Sequence, residues 1–427
     1  MIQKILDLHI HSKYSRACSK DLELPKIAKA CEIRGIDIVA TGDFTHPAWF
    51  QSIKQELVED TPGIYKLKDG SSKTKFIIGT ELASIKKHKD KTRRLHLCAF
   101  APNIEVAEKF NKKLGSMDFN LGSDGRPILG ITARDLLELM LEVDERMIMI
   151  PAHAWTPWFG IFGSKGGYDS LEDAFDDLTD YIFAIETGLS SDPIMNWRLS
   201  ALDNITLVSN SDAHSPAKLG REANVMQFEN EEEISYDKIM EVIKIGDKKQ
   251  FLYTIEFYPE EGKYHYDGHR DCNFVCAPED TKKYGGLCPK CKKKLTIGVM
   301  NRVAELADRT ETEAGKISKE KNKIPYKSLV PLPEILADTF GCGVNTKKVR
   351  TAYDDLIESI GNEFYILLES PITKIEKNSS KQIAKAIEKV RKGEIVVRPG
   401  YDGEFGVVKV FDSDEEGRGG KQVSLDI

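Results

Sequence analysis

Seven short apolar runs punctuate the first half of the chain, and each carries a polar side chain able to hold a metal, most often at its end. They are Ile5–His11, Ile36–Asp43, Phe76–Glu81, Leu95–Phe100 with His96 near its start, Met147–His153, Tyr181–Glu186 and Ile205–His214. Their length and their richness in β-branched residues read as buried strands. Stretches of helical pattern, such as Leu24–Arg34 and Thr132–Glu145, precede several of them. Thr132 with Asp135 three residues on predicts a capped helix start. Buried strands alternating with helices predict parallel β/α units, and closed β/α barrels gather functional side chains at the C-terminal ends of their strands. These polar residues fall there, so the pattern predicts a distorted seven-stranded barrel. A helix at Tyr236–Lys249 and a strand at Phe251–Phe257 close this region. Gly115–Arg126 and Trp155–Gly167, rich in turn formers, read as insertions or lids.

Beyond the barrel the pattern changes. Residues 261–327 hold 15 Lys/Arg against 10 Asp/Glu, although the whole chain carries a net charge of −7. Helices are expected at Pro333–Phe340, Lys347–Ile360 and Lys381–Lys392, then strand-like Glu394–Arg398 and Gly406–Phe411, then a polar tail that frays. A length of 427 residues suits two or three domains. The expected division is 1–258 for the barrel, 259–327 for a cysteine module and 328–427 for a mainly helical domain. The acidic total argues against a globally basic nucleic-acid binder, though local charge matters more. The apolar runs are too short to span a bilayer and the start lacks a signal core, so a cytoplasmic protein is expected, with no membrane partner. Eight cysteines, four of them clustered, fit metal binding in a reducing compartment better than a disulfide scaffold.

His9 and His11 alternate along a strand and therefore share a face, about 7 Å apart, where both can serve one metal cluster. One such pair is ambiguous, because a strand histidine can simply be satisfied by hydrogen bonds. Repetition changes the reading. Asp43, Glu81, His96, His153, Glu186, Asp212 and His214 all lie on or just after expected strands, and Asp212–Ala213–His214 repeats the alternation. Mixed imidazole and carboxylate ligands suit zinc, manganese or iron. Asp7 reads as a hydrogen-bonding residue of the strand, and His88, among lysines, as solvated.

The segments DLHIHSKYS, GIDIVATGD, GTEL, RLHL, PAHAW and SDAH resemble, in order, the motifs of the PHP (polymerase and histidinol phosphatase) family. The resemblance implies a distorted (β/α)7 barrel, two or three divalent metals (Zn, Mn, Fe or Mg) and phosphoester hydrolysis. Carried over by position, the ligands are His9, His11, Glu81, His96, His153, Asp212 and His214. The second motif departs from the pattern: Phe44 stands where members often have His, so Asp43 or His46 supplies that position. Clustered metals need no side-chain nucleophile.

Cys272-x3-Cys276 and Cys288-x2-Cys291 have the short paired spacing of a structural zinc site, which would fold a segment too polar to build a core. His265 and His269 read as surface histidines beside it. Lys282, Lys283, Lys290, Lys292, Lys293 and Lys294 are either a solvated face or a contact to a phosphate backbone. IEFYPEEGKYHYDGHRDC, LTIGVMNRVAELADR and RPGYDGEFG, together with the barrel motifs, resemble the endonuclease Q family across nearly the whole chain. That resemblance implies a DNA repair endonuclease cutting 5′ to deaminated bases (uracil, hypoxanthine, xanthine) or abasic sites. Its implied partner is damaged DNA, with replication or repair proteins as further candidates. Reading a lesion requires exposing the base against aromatic walls. Trp155, Trp158 and Phe159 are candidates, as is Lys165 for phosphate, although tryptophans near a rim often just pack. Asp192, after the sixth strand, is a further catalytic candidate. The alternatives are a phosphatase acting on a small phosphomonoester and a non-catalytic DNA-binding accessory protein.

Overall fold

A computed structural model describes residues 1–88 and 91–411; the expected frayed tail, 412–427, lies outside the described residues. The chain divides into two units. One takes in Met1–Glu32, Ile36–Glu256 and Val299–Lys327; the other takes in Ile33–Gly35, Phe257–Gly298 and the chain from Ser328. Phe257–Gly298, which holds the clustered cysteines, lies in the second unit, while Val299–Lys327 belongs to the first. Arg302 explains part of this by donating to the carbonyls of Phe162 and Tyr168 at 3.0 and 3.1 Å. Arg309 clasps both carboxylate oxygens of Asp203 at 2.8 and 2.6 Å.

The first unit contains strands β1 (Ile2–Asp7), β2 (Ile38–Ala40), β3 (Leu57–Thr61), β4 (Ile64–Leu67), β5 (Lys75–Ile77), β6 (Gly79–His88) and β7 (Lys91–Phe100). It continues with β8 (Ile128–Leu129), β9 (Ile148–Pro151), β10 (Ala184–Glu186), β11 (Thr206–Val208), β12 (Ala223–Phe228) and β13 (Phe251–Glu256). An eight-stranded sheet orders Tyr326–Ser328, β13, β12, β1, β2, β5, β4 and β3; a second sheet orders β8, β6, β7 and β9; β10 pairs with β11. β1, β2 and β5 run parallel. The helix Leu24–Arg34 supplies the crossover between β1 and β2 that parallel neighbours need.

The expected uniform β/α alternation gives way in two places. β6 and β7 form an antiparallel hairpin from Gly79↔Phe100 to His88↔Lys91, because two intervening residues cannot make a crossover. β12 runs antiparallel to both β1 and β13. Among the described residues the ladders do not close into a barrel, but single hydrogen bonds join the sheets. Ala101 N–H reaches Ile78 O at 3.0 Å and Ala154 N–H reaches Glu186 O at 2.9 Å. Leu8 N–H reaches Asn210 Oδ1 at 2.8 Å. One apolar core lies inside, drawing Leu6, Ile38, Ile77, Cys98, Ile150, Ala184, Val208 and Met226 from all three sheets.

The capping expected at Thr132 is present: its side chain accepts Asp135 N–H at 3.1 Å, starting the helix Ala133–Val143. In the second unit, Asp267–His269 pairs with Phe274–Cys276, and Tyr266 N–H bonds Gly400 O at 3.0 Å, tying the cysteine segment to the C-terminal chain. Helices Leu332–Phe340, Lys347–Ser359, Glu363–Leu368, Ile372–Asn378 and Lys381–Lys392 follow. The last is capped by Ser380, buries Ile383, Ala386, Ile387 and Val390, and stops at Gly393 with φ 69°. No helix among the described residues is long and apolar enough to cross a membrane.

Candidate metal centre

Strand ends deliver the polar residues to one place, and the backbone strains to aim three of them. Asp43 follows β2 with φ 47°, His153 follows β9 with φ 30°, and Asp212 follows β11 with φ 46°. Few non-glycine residues adopt such angles, and where they persist they tend to serve a site. Gly188 makes room for one of the three, since a Cβ there would stand 2.5 Å from His153 Cβ.

Glu81, fully buried on β6, is the hub. Its Oε2 faces His11 Nε2 at 3.2 Å and His9 Nε2 at 3.5 Å, and Asp212 Oδ1 stands 3.0 Å from His11 Nε2. Its Oε1 faces His96 Nδ1 at 2.8 Å and His153 Nε2 at 3.2 Å. Two ligand groups result, His9–His11–Glu81–Asp212 and Glu81–His96–His153, each with its donor atoms within 4.8 Å of one another. A divalent cation fits both. His9 Nε2 is buried without a hydrogen-bond partner, an arrangement that is unfavourable unless something else meets it. Burial alone would push the Glu81 carboxyl up, but His96, Arg126 and His9 hold it well below the usual carboxylate range. Burial pushes His96 down to about 4, leaving the neutral imidazole a metal needs.

Two expected ligands, Glu186 and Asp43, also meet several hydrogen-bond donors. Glu186 accepts from His9 Nδ1 at 3.0 Å, His153 N–H at 2.7 Å and Asn210 Nδ2 at 2.9 Å. Asp43 accepts from His11 Nδ1 at 3.1 Å, Ser12 N–H and Ser12 Oγ at 2.7 Å, and Ser15 Oγ at 2.8 Å. Carboxylates so committed fix the histidine tautomers from behind and leave each Nε2 facing the centre. His46 does not join the centre: it accepts Trp49 N–H as a helix cap and stacks on Tyr14 at 4.3 Å. Asp192 caps a short turn by accepting Met195 N–H at 2.9 Å, outside both groups. His214 stands at the edge, its ring 4.6 Å from that of His11. Asp7 bonds Ser211 and Gly220, as its place on β1 suggested, while His88 bonds Tyr168 Oη at 2.8 Å rather than being merely solvated.

Ser12, Ser15, Asn210, Arg126 and Cys98 were not singled out from the sequence. A signal existed for Cys98, two residues beyond His96 on the same strand face, and it comes within 4.8 Å of His9 and Glu186. In the aromatic loop, Trp155 is 1% exposed and donates Nε1–H to Asn196 at 2.8 Å, so it packs rather than reads. Phe159 stacks on His96 at 4.1 Å and accepts its N–H at 2.9 Å, propping a candidate ligand. Trp158 is 56% exposed and Lys165 is exposed.

Beneath the centre, buried Glu256 accepts from Thr254 Oγ1 at 2.5 Å, Thr187 Oγ1 at 3.0 Å and Ser209 Oγ at 3.1 Å. Thr187 and Ser209 adjoin Glu186 and Asn210, so Glu256 underpins the residues that steady His9. Burial pushes its carboxyl up to about 8. The folded chain then keeps a proton that the unfolded chain releases above its ordinary pKa. This contribution is full below the unfolded pKa of 4.5 and is lost as pH rises to about 8, by up to roughly 5 kcal/mol. Glu256→Gln is expected to gain stability relative to wild type between pH 5 and pH 8 in denaturant titrations; a difference independent of pH would exclude the buried proton.

In the cysteine segment, Cys272, Cys288 and Cys291 come together with His269, all donor atoms within 4.8 Å. Cys276, expected as the fourth ligand, is not in this group, and its Sγ lies 3.2 Å from Thr281 Oγ1. His265 and His269, expected at the surface, are both buried.

A family model described as the MJ0043 C-terminal domain matches residues 331–394. Protein MJ0043 of Methanocaldococcus jannaschii is 34% identical over 260 residues, which is 60% of this chain and 31% of that protein's length. YqxK of Bacillus subtilis is 26% identical over 421 residues, covering 94% of this chain and 98% of that protein. The lesion-specific endonuclease PfuEndoQ from Pyrococcus furiosus superimposes with a TM-score of 0.84 at 31% identity, with 98% of each chain covered. An endonuclease Q in complex with a 27-mer duplex substrate, an abasic lesion at its active site, superimposes at 0.82 and 31% identity, covering 98% of this chain and 99% of that one.

Proposed function

The chain belongs to the endonuclease Q family, and from that premise we propose that it is a metal-dependent DNA repair endonuclease. It hydrolyses the phosphodiester 5′ to uracil, hypoxanthine, xanthine or an abasic site. The observation that carries this reading is Glu81, one carboxylate whose two oxygens each face a pair of histidines. His9, His11, Glu81 and Asp212 would hold one divalent metal, and Glu81, His96 and His153 would hold a second. Divalent metals in such a site polarise the phosphoryl group and lower the pKa of water. Asp43 and Glu186 keep the histidines oriented, and His214 stands at the solvent side. The three sheets are read as the wall of a distorted (β/α)7 barrel of PHP type. Cys272, Cys288 and Cys291 with His269 would hold a structural zinc. The six lysines around them, all exposed, suit a DNA backbone.

Damaged DNA is the partner, and Trp158, exposed on a glycine-rich loop, is the side chain best suited to stack an extruded base. The test incubates the metal-loaded protein with duplexes carrying uracil, hypoxanthine, xanthine, an abasic site or no lesion. Cuts 5′ to the lesion, abolished by chelation and restored by added metal, are expected. Turnover of p-nitrophenyl phosphate with intact lesion duplexes would favour a small-molecule phosphatase. In the same assay Trp158→Ala is expected to reduce discrimination between damaged and intact DNA by about tenfold, the worth of one stacked base, at unchanged metal content. Unaltered selectivity would remove the stacking role.

A further inference from the structure

Burial leaves the centre open on one side. Asp212 and His214 keep 24% and 32% of their side chains exposed, while His9, His11 and Glu81 keep 2% or less. Arg126 stands on that same side, 24% exposed, with Nη1 2.8 Å from Glu81 Oε2. A substrate reaching Glu81 from solvent meets this guanidinium.

Its position is built. Gly125 N–H bonds Tyr14 O at 3.1 Å, and Asp124 Oδ1 accepts from the N–H groups of Arg16 and Arg126, both at 3.2 Å. A Cβ on Gly125 would stand 2.2 Å from Asp43 Oδ2 and 2.3 Å from Ser15 Oγ. Glycine alone lets this backbone lie against the residues that orient His11, and the next residue is carried to the rim. Neutralising Glu81 is the plainer role for Arg126. That role needs only a point charge, whereas a guanidinium offers five donors in a planar fork, and the contact to Glu81 uses Nη1.

We propose that Arg126 is a catalytic residue whose guanidinium donates to a non-bridging oxygen of the scissile phosphate and meets the charge developing there during hydrolysis. This rests on the endonuclease reading above. The mechanism is electrostatic, with donors aimed at charge that grows in the transition state.

The experiment compares wild type, Arg126→Ala and Arg126→Lys on an abasic-site duplex, with metal content measured for each. Arg126→Ala is expected to keep its metal and to cut about 10²-fold more slowly at saturating duplex, with guanidinium in solution restoring part of the rate. Arg126→Lys is expected to recover only part of the loss, lacking the fork. Without turnover, affinity for the nicked product duplex, read by fluorescence anisotropy, is expected to fall about tenfold in Arg126→Ala. An alanine variant that cuts within about threefold of wild type overturns the proposal. So does one that loses metal and activity together and is not rescued by guanidinium. A wild type that cuts none of the lesion duplexes removes the endonuclease reading and this proposal with it; a wild type that cuts them isolates the result to Arg126.

Discussion

Glu81→Gln is expected to cut lesion-bearing duplex at least about 10³-fold more slowly than wild type and to release most of the metal from the histidine centre. The substitution keeps the side chain's shape but gives one of its two oxygens up for an amide. That oxygen matters on either side: Oε1 converges with His96 and His153, and Oε2 with His9, His11 and Arg126. An amide nitrogen would not ligate a metal where the proposed role has a carboxylate oxygen, and the amide lacks the charge that Arg126 and the imidazoles surround. Elemental analysis and single-turnover cutting measure the two effects separately. A variant with full metal and a rate within tenfold of wild type would show that the two groups do not share this residue.

Cys288→Ser is expected to have the largest structural effect. Binding of a structural zinc is worth about 10–16 kcal/mol, more than the stability of most domains. The apolar cluster around the site is small, consisting of Cys276, Cys288 and Leu295 with Cys272 and Phe274 packed against it. It cannot replace that energy. Limited proteolysis is expected to cut the variant within Phe257–Gly298 while the first unit keeps its own metal. His269→Ala should behave like Cys288→Ser, and Cys276→Ser should retain zinc, because the Cys276 thiol engages Thr281. The reverse pattern, zinc lost from Cys276→Ser and kept by His269→Ala, would restore four cysteines as the ligand set.

The sequence made the strand ends legible because burial leaves a run of apolar residues, and a polar side chain at its close stands out. Glu81, His96 and Asp212 were readable on that ground. What a carboxylate does once there was not. Asp43 and Glu186 look like Glu81 in the sequence, and only the fold shows how many donors surround each of them. His46 attracted attention because Phe44 left a position open, yet Asp43 already completes its role through His11. Trp155 and Trp158 are three residues apart and alike in pattern; a hydrogen bond to Asn196 takes one inside. The spacing of Cys272 and Cys276 suits a zinc knuckle, but pairing of Cys276 with Asp267 across a hairpin turns its thiol to Thr281. The antiparallel hairpin of β6 and β7 was hidden because its halves read as separate strands of one kind.

Phe159 lies flat on His96 and holds that residue's backbone N–H, one position along from exposed Trp158. A shift of this loop would carry Phe159 with it and so disturb both the ring stack on His96 and its backbone hydrogen bond. Under the proposed function, the fit of a base in this loop would then be felt at the geometry of His96.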